Sequence, residues 1–289
     1  MPEAKLCIKV LGEDGQPMVR MPVHVWLSES VILDGQTDAE GAFVAQGKCT
    51  IKDVPITIRQ DGYYDSRLVY RFPNYMSVKD GRWQPWNPVV TAMVRRVGNP
   101  IPMYAKTVEA AIPVLDEFIG FDLVACDWVA PHGSGAVGDF QFKMRKRFVS
   151  RKDFDSSLQL RMTNAADGIQ EVSRSSFQGS AYRLPRIAPA EGYGTSFDVS
   201  ESSTNYLRPN EDQSFLFRVR SATNADGKIA HALYGKIGSS LRLDVRHCKT
   251  GVVAFTYCLN PTPNDRNLEY DPKRNLLLGV KSTEEVVEP

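Results

Sequence analysis

The chain has no apolar run approaching the roughly 18 residues that a membrane-crossing helix needs. Its longest apolar stretches are strand-sized and end at Gly, Pro or Asp, so no transmembrane segment is expected. It also lacks an excess of either charge. The net charge of +1 is too weak a field to imply nucleic acid, acidic lipid or a strongly basic partner, and no nucleic-acid binding is expected. The five cysteines (Cys7, Cys49, Cys126, Cys248 and Cys258) include no C-x-x-C pair, which argues against a zinc knuckle. Cys7 and Cys49 share one region and could be bridged. Cys248 and Cys258 flank a turn asymmetrically and would not face each other in a simple hairpin. The odd count favours buried free thiols over a full disulfide framework. The four histidines, His24, His132, His231 and His247, show neither H-x-H nor H-E-x-x-H spacing. The opening MPEAKLCIKV has no apolar signal-peptide core. The expectation is either a cytoplasmic protein or an extracytoplasmic one whose signal was trimmed.

What is present is strand grammar. A hydrophobic content of 42% with 10% aromatics can fill real cores and excludes global disorder. At 289 residues the chain has room for two domains or one large all-β unit. Period-two alternation is punctuated by Asp-Gly turns: Leu6, Ile8 and Val10 share a face before Asp14-Gly15, and Val23, Val25 and Leu27 share another. Later, SLQLRMTNAADGIQEV and FLFRVRSATNADGKIAHALYGKI repeat one plan of strand, Thr-Asn-Ala-(Ala)-Asp-Gly turn and returning strand. Shared turn chemistry explains this echo as well as duplication does. The best helix candidate is AKTVEAAIPVLDEF, residues 105–118, which Pro113 would limit to one or two turns. RFPNYMSVKDGRWQPWNP reads as an ordered loop, because Pro85 and Pro88 forbid a regular central strand.

The segments VLGEDGQPM, HVWL, GQTDAEGAF and ITIRQDGYYDS give roughly the first 70 residues a resemblance to the carboxypeptidase regulatory-like (transthyretin-like) domain. Its most recognisable part runs from Thr37 to Phe43. The resemblance implies a small seven-stranded β-sandwich, accessory rather than catalytic, closing with PVVTAMVRRV. The segments NPIPMYAK, GFDLVACDWVAPHGSG, APAEGYG, LYGKI and TYCLNPTPNDRNLEYD resemble a group of uncharacterised bacterial proteins that look exported. That resemblance implies an extracytoplasmic home and transfers no activity. The fold expected is therefore all-β with very little helix. A transthyretin-like or Ig-like sandwich at 1–97 is followed by a larger antiparallel β-sandwich or jelly-roll-like domain at 98–289, ending in a loosely held tail at about 281–289.

The stretch DWVAPHGSGAVGD (Asp127–Asp139) poses the sharpest functional question. Its GSGAVG matches G-x-G-x-x-G, but a period-two strand follows, with no helix N-terminus to hold a pyrophosphate. A hydrolase site would set Ser134 on His132, with Asp127 or Asp139 behind. A nucleophile elbow, however, needs Gly where His132 stands and a helix after the turn. A metal site would use Asp127, His132 and Asp139, with Asp265 or Glu269, and would suit a structural calcium better than a catalytic zinc. The preferred reading is structural. Trp128 anchors the loop, Gly133, Gly135 and Gly138 adopt positive φ, and Asp127 and Asp139 cap amides. No catalytic residue and no cofactor are expected.

A second polar cluster, NPTPNDRNLEYDP (Asn260–Pro272), offers Asp265 and Glu269 as an acid–base pair for glycoside hydrolysis. Arg266 between them should ion-pair with one or both and depress the pKa values that a general acid needs raised. The basic run KMRKRFVSRK (Lys143–Lys152) reads as a solvated strand face rather than an anion site. Trp83, Trp86, Tyr104 and Trp128 are the ligand-binding candidates, as aromatic faces for a glycan or as filling for an inter-domain seam. The function expected is a non-enzymatic exported protein that binds or assembles at the cell surface or in the periplasm, with a protein partner, self-assembly or a glycan as its target. The rival reading is a carbohydrate-active hydrolase or glycan-binding module built on the loops at 127–139 and 260–271.

Overall fold

The computed structural model describes the chain except residues 175, 176, 178, 206–209, 211, 239, 240 and 246–248. His247 and Cys248, with the hairpin argument drawn from the latter, lie outside the described residues. Among the described residues there is no α-helix, and a 3-10 turn stands at Tyr75–Ser77. No helix is long and apolar enough to cross a membrane. The all-β expectation holds. The chain forms two compact units, Met1–Gly98 with Ser175–Arg183, and Asn99–Arg174 with Leu184–Pro289. Residues 175–183, assigned by sequence to the second domain, thus belong to the first unit.

The first unit begins with β1 (Glu3–Leu11), β2 (Pro22–Ser28), β3 (Val31–Gln36), β4 (Ala42–Lys48) and β5 (Asp53–Ile58). It continues with β6 (Ser66–Arg71), the two-residue strands β7 (Val78–Lys79) and β8 (Arg82–Trp83), and β9 (Val89–Met93). One sheet runs β4-β1-β8-β7, with β9 also on β1; the other runs β3-β2-β5-β6. The alternating residues read from the sequence are the buried ones: Leu6, Ile8 and Val10 from β1, Val23, Val25 and Leu27 from β2, and Ile56 and Ile58 from β5. They form one core, as period-two strands facing each other must. Cys7 and Cys49 are free thiols in this unit.

An open edge at β6 would leave backbone groups unpaired, and natural sheets cover such edges. Here residues 179–182 do so. The Arg67 amide donates to the Gly179 carbonyl at 2.8 Å, and the Ala181 amide to the Asp65 carbonyl at 2.8 Å. Tyr182 stacks on Tyr64 with ring centroids 5.2 Å apart. The buried Arg95 donates to the Tyr182 carbonyl at 3.1 Å and lies over the Phe177 ring at 3.8 Å, while its Nε pairs with Glu13. The first unit is therefore completed by a strap that arrives late in the chain. A fragment of residues 1–98 is expected to self-associate in size-exclusion chromatography and to melt below the full chain. A peptide spanning 175–183 should restore the monomer.

The second unit contains β10 (Ile101–Ala111), β11 (Ile119–Asp122), β12 (Asp127–Trp128), β13 (Phe140–Ser150), β14 (Asp153–Met162) and β15 (Gly168–Ser173). Then come β16 (Ser196–Ser202), β17 (Gln213–Thr223), β18 (Ile229–Ile237), β19 (Arg242–Asp244), β20 (Val252–Leu259) and β21 (Tyr270–Asn275). A seven-stranded sheet runs β15-β17-β18-β20-β10-β21 with β19 on β20, and a five-stranded sheet runs β12-β11-β13-β14-β16. Phe121, Phe140, Phe142, Phe217 and Phe255, drawn from both sheets, fill the space between them. Phe140 and Phe217 meet edge to face at 5.0 Å, a favoured aromatic geometry.

Two expectations fail in this unit. Residues 105–111, in the best helix candidate, are strand: Tyr104–Ala111 pair in unbroken antiparallel register with Leu259–Val252. A continuous ladder that also buries Ala105 and Val108 outweighs a weak local preference. The tail at 281–289 is not loose. Val286 packs with Met103, Ala105, Cys258 and Tyr270, and the Thr107 amide donates to the Glu284 carbonyl at 2.8 Å. Arg174 meets Glu288 at 2.8 Å.

Candidate functional site

The loop at 127–139 is built to satisfy backbone amides. Asp122, at the end of β11, accepts the amides of Val124 at 2.9 Å and Ala125 at 3.0 Å through one oxygen. Its other oxygen accepts Ala136 at 3.1 Å and Val137 at 3.0 Å. Asp127 accepts the Trp128 amide and both the amide and the hydroxyl of Ser134, each at 2.8 Å. Asp139 accepts the Leu123 amide at 2.9 Å and a fork from Arg220, with Nε at 2.8 Å and Nη2 at 2.9 Å. The same Nη2 reaches Asp122 at 2.8 Å.

Burial pushes the Asp122 carboxyl up, but its four amide bonds outweigh that and hold it below the ordinary value. The Ser134 amide, above all, likewise lowers Asp127. Burial raises Asp139 despite the Arg220 fork.

This arrangement is not a reactive one. Ser134 gives its hydroxyl proton to Asp127, not to His132, and His132 is exposed. The metal set Asp127, His132 and Asp139 is not assembled: the two carboxylates are engaged as described, and no group of three or more His, Cys, Asp or Glu among the described residues could hold an ion. Trp128 is buried against Phe121 at 5.2 Å. The glycine expectation needs correction, because none of Gly133, Gly135 and Gly138 has positive φ; Cys126 does, at 53°. Close approach is what demands glycine here. A Cβ on Gly133 would collide with the Trp128 carbonyl, and one on Gly135 would sit 2.8 Å from Asp122 Cβ.

The cluster at 260–271 is also structural. Asn260, fully buried, donates to the carbonyls of Asp265 at 3.1 Å and Asn267 at 3.0 Å. Asp265 accepts the Asn267 amide at 3.0 Å. Glu269 is 2% exposed; it accepts the Asn99 amide at 2.7 Å and pairs with Arg186. The expected partner was Arg266, which instead donates to the Ala188 carbonyl at 3.1 Å. Sequence proximity misled here, because the loop turns Arg266 away from the buried Glu269. Within the basic run, Arg147 is paired on its own sheet, meeting Asp153 at 2.7 Å and Asp155 at 3.0 Å.

The four aromatic candidates do not make one exposed surface. Trp83 is buried in the first core, with its indole donating to the Cys49 carbonyl at 3.0 Å. Trp128 is buried in the second core, against which Tyr104 packs. Trp86 is half-buried, with the Arg82 guanidinium 4.9 Å from its ring centroid.

A concavity lies on the outer face of the seven-stranded sheet, a hollow of about 830 Å³, within the ~300–1,000 Å³ usual for ligand sites. The two echoing turns form part of its wall. In the first, Asn164 accepts the Ala166 amide at 3.0 Å. In the second, Asn224 accepts the Asp226 and Lys228 amides at 3.1 and 2.9 Å. These Asx-type bonds fix both bends. Ala190 and Glu191 from the APAEGYG segment, and Asn264 and Arg266 from the second polar cluster, supply the rest of the rim. Tyr234 and Arg218 line it from the sheet, and Tyr234 is buried with Ala188, Leu216 and Leu268. Tyr193 lies beside Gly168 of the first turn, where a Cβ would stand 2.5 Å from Tyr193 Cβ. The residues missed by sequence are therefore Arg218, Lys228 and Tyr234, although the repeated turns and both loop motifs that surround them were visible.

No known protein family matches the chain, and no curated protein matches it. Among solved structures, a DUF3823 family protein from Parabacteroides merdae is similar at 10% identity, covering 90% of this chain and 99% of its own, with a TM-score of 0.22. The shaft pilin of Lactobacillus rhamnosus GG is similar at 14% identity, over 62% of this chain and 94% of its own, with a TM-score of 0.24. A candidate carbohydrate-binding protein from Bacteroides uniformis is similar at 9% identity, over 92% and 100%, with a TM-score of 0.20. Likeness at this level carries no argument about this chain.

Two outcomes are expected at the loop. Arg220→Ala leaves the buried Asp139 carboxylate without its cation and should cost about 3–5 kcal/mol in urea denaturation, as breaking a buried pair does. Asp122 and Asp127, lowered in the folded state, contribute stability above the ordinary carboxylate value of about pH 4; it is lost as pH falls through their lowered values. Asp139, raised, acts in the opposite sense, since its charged form is disfavoured by folding. Asp127→Asn should therefore flatten the acid limb of the stability–pH curve.

Proposed function

We propose that this is a non-enzymatic, exported binding protein, whose second unit recognises a saccharide in the hollow bordered by the turns at 163–168 and 223–228. The observation that carries the reading is the composition of the lining. Among the described residues, Glu191 is the one carboxylate on it, and it sits on an exposed rim. Glycoside hydrolysis needs two carboxyl groups about 5–10 Å apart, so this lining can hold a sugar and cannot cleave one by that route. Asn164, Asn264 and Thr223 offer donors and acceptors, and Tyr234 and Ile229 offer apolar area. That mixture suits a ring with hydroxyls on its rim and C–H groups on its faces.

The first unit serves as an accessory sandwich of the carboxypeptidase regulatory-like kind. Self-assembly by strand addition is the weaker reading at β6, whose edge is already covered by residues 179–182.

A glycan array probed with the full chain tests the proposal. At least one oligosaccharide class should be retained. Ala165→Trp, at an exposed lining position, should lower retention about tenfold, or 1.4 kcal/mol, without changing the melting temperature. Retention untouched by this substitution would remove the hollow from the proposal, and release of reducing ends from any bound glycan would remove its non-enzymatic part.

A further inference from the structure

We infer that the ligand of this hollow is an acidic saccharide whose carboxylate docks against Arg266 and Arg218, an inference that rests on the saccharide reading above. The argument concerns how the cations are held. Arg218 donates Nε and Nη2 to the Ala166 carbonyl at 3.0 and 2.7 Å, and Nη1 to the Ala190 carbonyl at 3.1 Å. Its guanidinium also lies 4.9 Å from the Tyr193 ring centroid. It is fixed in place, yet every hydrogen-bond partner is a neutral carbonyl. Arg266 is held by the Ala188 carbonyl alone.

A guanidinium carries five N–H donors, so Arg218 retains two of them and Arg266 four. Lys228 adds a third cation on the exposed rim. Among the described residues no carboxylate lies within ion-pair distance of any of the three. The nearby Asp167 feels Arg218, but its oxygens are taken by the Arg220 and Ser221 amides at 3.2 and 2.8 Å.

Three other arginines of this chain are matched by carboxylates: Arg220 by Asp122 and Asp139, Arg186 by Glu269, and Arg95 by Glu13. The whole chain is nearly neutral, at +1, whereas the described lining of the hollow carries Arg218, Lys228 and Arg266 against the single carboxylate Glu191. Cations lining a concavity focus their field into it. Oriented guanidinium forks then select a planar carboxylate. A neutral sugar would leave this charge unanswered.

The test is calorimetry on the full chain with trigalacturonate, a hyaluronan tetrasaccharide and sialyllactose, each beside its carboxyl-reduced form. At least one acid should bind about tenfold or more tighter than its reduced form, the scale of a charged hydrogen bond, and the advantage should shrink with added salt. Arg266→Gln should erase the advantage, and Arg266→Lys should keep part of it. Lys228→Gln, at an exposed position, should reduce it without touching the melting temperature. Glu191→Gln should increase it. Equal binding of acid and reduced forms, or a salt-independent preference, overturns this inference while leaving the saccharide reading in place. Binding of no acid here while neutral glycans bind the array does the same. Failure of every glycan in both experiments overturns both.

Discussion

Two loop stretches at one end of the second sandwich, 122–125 and 136–139, depend on the guanidinium of Arg220. It spans Asp122 and Asp139, whose carboxylates also gather the amides of 123, 124, 125, 136 and 137. Buried carboxylates need this compensation, since an unpaired one costs several kcal/mol. With those amides satisfied, the loop can bring Trp128 onto Phe121 and Phe142 and close that end of the core. Arg220 itself sits at φ 54°, where the β17–β18 register shifts. The bulge re-aims its side chain away from the direction that strict alternation would give.

The same side-chain type has two uses in this unit, and the partner separates them. Where arginine meets a carboxylate, charge is cancelled locally and the result is architecture. Where it meets main-chain carbonyls, it is positioned equally well but keeps its charge. Arg218 and Arg266 belong to the second group. The hollow is therefore a place where the structure has fixed a cation without neutralising it.

Much of the architecture was readable in the sequence. Period-two patterns in β1, β2 and β5, and the Asn-Ala-Asp-Gly turns, are local signals that the backbone obeys. The structural reading of the loop at 127–139 was legible because glycine beside acid is turn chemistry, although its glycines answer to close approach and not to φ. Residues 105–111 were misjudged because a ladder with β20, about 150 residues away in sequence, decides their conformation. Glu269 pairing with Arg186, rather than with Arg266, is likewise a tertiary fact that spacing cannot express. The hollow was legible only as fragments. Its lining residues are spread between Asn164 and Arg266, and nothing in any one stretch indicates that they share a wall.

The strap over β6 bears on how the protein is made. A ribosome delivers residues in order, and amino-terminal domains commonly fold before the rest has emerged. Here the strand edge at 66–71 waits for residues 179–182, so more than a hundred intervening residues must appear first. During that interval Arg95 has neither Tyr182 nor Phe177 over it, and the nascent sandwich presents a bare margin to its surroundings. The last covering step in the first unit is therefore timed by synthesis of the second.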